Sequence, residues 1–570
     1  MAEGSMITAT AWVPRGFAAQ FPTKYVFDEE EYARISRLAK LELEDAREDL
    51  DEARRRHEEK GESSNGVKGV KEQEEIDDDL REYDLEHYDD SDGDGDGDGG
   101  GGGPMAMFGG FGKNLAYHES NAHDPYITLG KQDGRADEDD EEEREELQIL
   151  PTDNLLLAAK VEDEMAHLEV YVYEDEADNL YVHHDIMLPA IPLAVEWLDF
   201  PAGSGKDAAA AAHNRKTDGR GNFVAVATMD PDIELWDLDT VDCMYPNAIL
   251  GQGGADAADN AATGRKKKKK KKSKKPNDAY HVDAVLALAA NRQHRNLLAS
   301  ASADATVKLW DLASATCAQS YGFHAGRVCA VEWHPVEAAA LLTGSYDRTV
   351  VAADVRAPGA KAPRWEVESD VETVKWDPHD PNTFYIATEA GMLHQHDARM
   401  APPTPGQAKP VWTLQAHAAD PVSALAVNPL VPGFVATGSP DRSVKLWDLG
   451  AAGPSLVVSR DLGVGKVFSA RFAPDADVGL RLAVAGSTGA VRVWDTETNA
   501  AVRRAFGGRG RVGSGRGKGD AGAGAGADAD ADAEERLVGV REEEEEEESS
   551  SGGDEGEGEG GQDGWESMEE

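Results

Sequence analysis

The chain has 570 residues, 109 acidic against 58 basic, for a net charge of −51 at neutral pH. Its three cysteines, Cys243, Cys317 and Cys329, form no CxxC pair; a disulfide framework or zinc site is not expected, and a reducing compartment fits. No apolar run is long enough to cross a bilayer, and the N-terminus lacks the basic and apolar regions of a secretory leader, so a soluble intracellular protein without membrane contact is expected.

The acidity is uneven. Residues 1–150 hold 42 acidic against 17 basic residues, and residues 507–570 hold 21 against 6. The middle of the chain is nearly balanced. Acidic blocks such as 137–146 and 542–548 repel themselves and bury nothing, so disorder is expected there.

In chain order, residues 7–14 alternate like a strand. They resemble short segments found much later, at 193–197, 328–335 and 371–378. Residues 28–60 are expected to be helical: Asp28 is a candidate cap, Glu31 follows three positions on, and Ile35, Leu38, Ala39 and Glu42 keep helical spacing. The apolar stripe is narrow, which leaves a solvated charged helix or a partner-binding helix open. Residues 21–150 are thus read as this helix followed by an acidic, Gly-rich linker. Within it, residues 92–98 alternate Asp and Gly, but the twelfth position of a calcium loop is Gly103 or Met105, neither of which is a carboxylate.

From Asn154 onward strands recur. Residues 155–160, 167–173 and 180–185 make three strands with no opening strand, which residues 7–14 can supply. Beyond them, Trp-Asp ends short apolar runs at Trp236-Asp237, Trp310-Asp311, Trp447-Asp448 and Trp494-Asp495. Ala353-Asp354 and His396-Asp397 are degenerate copies. The aspartates are 74, 43, 43, 51 and 47 residues apart. That period with that ending marks WD40 blades, four-stranded sheets arranged as a β-propeller. The fold is therefore read as all-β: a seven-bladed WD40 propeller over 151–506, joined by an N-terminal strand within 1–20. Six blades read as 190–250, 281–320, 324–360, 365–400, 411–455 and 463–506. A basic insertion at 251–279 and a Gly-rich, acidic tail at 507–570 are expected to be disordered.

Polar sets recur with the blades. His281, Ser300, Asp304 and Trp310 form one; His417, Thr437, Asp441 and Trp447 another; His324, Thr343 and Asp347 a third, with Ala353 where Trp is expected. A His-Ser-Asp set invites a catalytic reading. A catalytic set is needed once, so repetition favours buried hydrogen-bond chains that hold each blade. The pair His183-His184 lacks a third ligand nearby, and a regular strand would point the two rings apart. No phosphate loop, GxSxG or HExxH occurs. Neither an enzyme nor a cofactor or metal is expected.

The insertion carries Lys266, Lys267, Lys268, Lys269, Lys270, Lys271 and Lys272. Such a run is a solvated loop, a signal for a nuclear import receptor, or a non-specific contact to RNA or DNA phosphate. No aromatic residues interleave it, which argues against base-specific readout. The acidic tails suit basic partners, and Ser91 and Ser549 lie in the acidic surroundings that acid-directed kinases favour.

The order of segments resembles the periodic tryptophan protein 1 family of WD-repeat proteins. The resemblance rests on residues 7–13, on Glu82-Tyr83-Asp84-Leu85, on Asp124-Pro125-Tyr126-Ile127-Thr128-Leu129, on Tyr181-Val182-His183-His184-Asp185-Ile186, and on Ile233-Glu234-Leu235-Trp236-Asp237 followed by a lysine-rich insertion. It extends from residue 6 to about 506, apart from stretches near 93–112 and 201–221. Two positions depart: Tyr280-His281 replaces Gly-His, and Thr488 stands where the last blade's turn aspartate belongs. The resemblance implies a nuclear, nucleolar protein in ribosome production, acting in pre-rRNA transcription or processing with pre-ribosomal factors as partners. A chromatin protein that handles histones is the alternative, and an adaptor in a ubiquitin ligase or signalling complex a third reading.

Overall fold

The protein is described by a computed structural model over residues 4–25, 144, 147–163, 165–202, 220–251, 276–418, 420–450, 453–507, 509 and 535–540. The helix expected at 28–60, the Asp/Gly repeat, the lysine tract, Ser91 and Ser549 lie outside the described residues.

Among the described residues the strands form seven four-stranded sheets and one two-stranded pairing. In the first, Ser5–Val13 is followed by Asn154–Glu162, Met165–Glu174 and Asn179–Leu188. The N-terminal strand runs antiparallel to its neighbour, from Ser5 opposite Glu162 to Val13 opposite Leu155. It also reaches the last blade: Trp12 Nε1 donates to the Arg471 carbonyl at 3.0 Å. The ring therefore closes where this N-terminal strand, the inner strand of the first blade, meets the inner strand of the last.

The blades pack face to face. Second strands such as Phe223–Thr228 are buried along their whole length, as short runs of apolar and small residues between two sheets must be; Arg481–Gly486 is buried throughout as well, its leading arginine paired with Asp175 and Asp495. Close approach is built in at Gly438, where a methyl group would lie 2.5 Å from Val467 Cγ1 in the first strand of the next blade. Only glycine allows that contact.

Two segments depart from the sequence reading. Residues 463–506 were expected to complete the last blade, with an unstructured tail beyond. Instead Ala500–Phe506 forms a helix, capped by Asn499, whose side chain accepts from the Ala501 and Val502 amides, and it buries Val502 and Phe506. The cap and the Ala/Arg-rich composition favour helix over strand. The fourth strand is Leu537–Gly539, paired with Val491–Asp495 through Leu537 opposite Trp494 and Gly539 opposite Arg492. The N-terminal segment also stays ordered past residue 20: Thr23–Lys24 pairs in parallel with Thr240–Val241 of the second blade. Phe17 sets its edge against Trp197 with centroids 4.8 Å apart.

Candidate functional site

The recurring polar sets assemble as one-way proton chains. In the third blade Trp310 Nε1 donates to Ser300 Oγ at 2.8 Å. Ser300 Oγ lies 2.7 Å from His281 Nε2, and His281 Nδ1 lies 3.0 Å from Asp304 Oδ2. A neutral imidazole with its proton on Nδ1 satisfies every link. Burial pushes the His281 imidazole down in pKa, against the opposing pull of Asp304. Burial would raise Asp304, but hydrogen bonds from His281 and Thr306 outweigh it and hold the carboxyl well below the usual range. A neutral histidine beside an ionised aspartate is the state this geometry selects.

The sixth blade repeats the chain: Trp447 to Thr437 at 2.9 Å, Thr437 to His417 at 3.1 Å, His417 to Asp441 at 2.7 Å. In the fourth blade His324 meets Thr343 at 2.8 Å and Asp347 at 3.3 Å. Ala353 leaves Thr343 without an indole donor there, and its hydroxyl lies 3.4 Å from the Val351 carbonyl.

Each chain has a further member that the sequence reading missed. Thr306, Thr349 and Ser443 stand two residues after the turn aspartates and donate to them at 2.6, 2.6 and 2.7 Å. The signal was present as Asp-x-Thr/Ser at all three turns. The residue between takes a left-handed φ each time: 65° at Ala305, 64° at Arg348 and 69° at Arg442. In the last blade Val484 and Thr488 replace the hydroxyl and the aspartate, and Trp494 Nε1 is buried without a hydrogen-bond partner.

His183 and His184 are not pointed apart. The register slips between Val170 and Tyr171 opposite them. That irregularity turns both rings to one side, with Nδ1 atoms 2.8 Å apart. His184 is buried, and burial followed by the His183 charge pushes its pKa down to about 3. Among the described residues no group of three His, Cys, Asp or Glu is placed to hold a metal ion.

The first strands of the seven blades line an axial channel of about 720 Å³. Toward one mouth its charges are paired, Arg292 with Glu196 at 2.7 Å and Lys375 with Glu332 at 3.1 Å. Glu372 lies on the same wall. Its carboxyl is pushed up to about 7, by burial first and then by the charges of Glu389 and Asp370. The repeated His-hydroxyl-Asp chains are satisfied internally and present no nucleophile to the channel.

A closed ring of seven blades, three of them tied by these chains, defines a WD-repeat β-propeller. Residues 279–311, 315–351 and 408–448 each match the WD domain, G-beta repeat. The chain is 45% identical, over 89% of its length and 92% of the relative's, to an uncharacterized WD repeat-containing protein of Schizosaccharomyces pombe. It is 39% identical to Periodic tryptophan protein 1 of Saccharomyces cerevisiae over 88% of this chain and 90% of that one. The Drosophila melanogaster Periodic tryptophan protein 1 homolog is 30% identical over 88% of this chain and 96% of its own length. The chain belongs to the periodic tryptophan protein 1 family.

Proposed function

We propose that the protein is a non-enzymatic scaffold for ribosome biogenesis in the nucleolus, supporting pre-rRNA transcription or processing through contacts with pre-ribosomal proteins. The observation that carries this is family membership along almost the whole chain, propeller and N-terminal strand included. The architecture supports it physically: a rigid ring whose recurring polar sets are consumed in holding blades offers surfaces for partners. Lys266, Lys267, Lys268, Lys269, Lys270, Lys271 and Lys272 serve nuclear import and non-specific contact with nucleic-acid phosphate in this reading. Ser91 and Ser549 are its phosphorylation sites.

The test is purification of the tagged protein from nuclei at moderate salt, with and without nuclease, followed by identification of what accompanies it. Pre-ribosomal factors that survive nuclease support the scaffold. Histones alone would overturn it in favour of a chromatin protein. Replacing the seven lysines with glutamine should reduce nuclear accumulation; an unchanged distribution rules out their import role.

A further inference from the structure

Six inner strands share one register irregularity near their start, as between Val328 and Ala330 or Val467 and Ser469. That common feature aligns the strands residue by residue. Two positions past the irregularity stand Ala11, Glu196, Ala289, Glu332, Lys375 and Arg471. All six line the axial channel, as the alternation of side chains along a strand requires of equivalent positions. In the sixth blade Ala424 faces Gly438 as Ala330 faces Gly344, which puts Ala426 at the same level.

The charges at this level do not balance. Glu332 accepts from Lys375 at 3.1 Å and from the Trp376 amide at 2.6 Å. Glu196 accepts from Arg292 at 2.7 Å and from the Ala290 amide at 3.2 Å. Each carboxylate is thus matched by one cation and one amide of the next blade. Arg471 is a third cation, half-buried in the last blade. Its carbonyl accepts from Trp12, but among the described residues its guanidinium makes no ion pair and no hydrogen bond. The equivalent positions on the two flanking blades are Ala11 and Ala426, which carry neither charge nor donor. The Thr10 and Ser469 hydroxyls, on the first and last inner strands, bond each other at 2.8 Å. Glu372 stands three residues before Lys375 on its strand, toward the other mouth of the channel.

We propose that Arg471 anchors a carboxylate-binding site inside the axial channel, its ligand a single carboxylate carried by an acidic side chain of a polypeptide or by a free small acid. A guanidinium presents parallel N–H groups that match the two oxygens of a carboxylate. One unmatched positive charge calls for one negative charge. A phosphate would bring more acceptor oxygens than one guanidinium between two alanines can serve. The guanidinium stands on a paired strand of the ring, so it is displayed on a rigid frame. Within a channel its field is less screened than on an open surface. A volume of about 720 Å³ admits a few residues of chain or a small molecule. The inference is independent of the ribosomal reading: it assigns a site and a ligand chemistry, whatever assembly the protein serves.

The test uses the full chain and phenylglyoxal, which modifies unengaged arginines, with the modified positions read by peptide mass spectrometry. Without a probe Arg471 should react, as exposed Arg504 does, while buried Arg481, paired with Asp175 and Asp495, should not. Four probes are compared at equal ionic strength: acetate, a capped pentapeptide with a central glutamate, the same peptide with glutamine, and inorganic phosphate. For a dissociation constant of about 10 mM, roughly 50 mM carboxylate should slow modification of Arg471 about sixfold and leave Arg504 unchanged. Protection by the glutamate peptide alone assigns the ligand to a polypeptide side chain, and protection by acetate alone assigns it to a free acid. Protection by both supports a carboxylate site open to either. Arg471→Gln, with an unaltered melting curve, should reduce NMR saturation transfer to the protecting probe at least about fivefold, whereas Arg504→Gln should not. Equal protection by the glutamine peptide or by phosphate would overturn the proposal. So would no protection, or undiminished transfer in Arg471→Gln. An Arg471 that is inert without any probe would also overturn it, since the chain would then be covering its own guanidinium.

Discussion

Thr10 and Ser469 share a hydrogen bond of 2.8 Å although 459 positions separate them. Both lie on first strands, one in the first blade and one in the last, and both are buried. This contact sits on the seam where the ring closes. Thr10→Val strands the Ser469 hydroxyl and should cost about 1–2 kcal/mol. Adding Ser469→Ala removes the orphan, so the double variant should unfold at nearly the same denaturant concentration as the single one. Additive losses would show that the two groups do not interact.

The third-blade chain predicts a steeper penalty. Asp304 accepts from His281, from the Val282 amide and from Thr306. Asp304→Ala leaves those donors buried or half-buried without an acceptor and should lower stability by about 2–4 kcal/mol. Circular dichroism melting checks it. A melting temperature equal to that of the unsubstituted protein would remove the polar chains from the explanation of the fold.

The last blade depends on the distant strand Leu537–Gly539, held by charge as well as pairing. Glu535 accepts from Arg460 at 2.6 Å, and Arg536 pairs with Asp178 of the first blade and Asp495 of the last. Truncation after residue 506 should lower the melting temperature and expose the edge of Val491–Asp495, giving concentration-dependent association in light scattering. Arg536→Ala should reproduce part of the loss, about 1–2 kcal/mol, more weakly at high salt. A truncated chain that melts normally and stays monomeric would show that the strand is dispensable.

Glu372 gives a pH dependence with a defined sign. Its folded pKa of about 7 lies above the ordinary 4.5. Below pH 4.5 the carboxyl is protonated in both states and costs nothing. As the pH rises the unfolded chain ionises first, so stability is lost until about pH 7 and then stays lower. Glu372→Gln should therefore stabilise the protein by about 3 kcal/mol at pH 8 and hardly at all at pH 4. A gain that is the same at both pH values would contradict the assignment.

The blades were legible because their signals repeat: the Trp-Asp endings, the polar sets and the alternation all recur at blade length. The use of residues 7–14 as the missing strand followed from counting three strands where four are needed. The outer strand at Leu537–Gly539 was not legible, because three residues between a Gly-rich stretch and an acidic run carry no periodicity and are fixed by tertiary pairing. Thr306, Thr349 and Ser443 were overlooked although their spacing was visible; a hydroxyl two residues after an aspartate is common in turns and gains meaning only beside a buried histidine. The His183-His184 contact depends on a register slip in the facing strand, which no local pattern announces.

Pulse-labelling of ribosomal RNA in cells depleted of the protein is the most direct functional measurement. A ribosome-biogenesis scaffold predicts less mature ribosomal RNA, through reduced synthesis or accumulating precursors, with recovery on re-expression of the full chain. Normal labelling and normal precursor ratios after depletion would contradict that role.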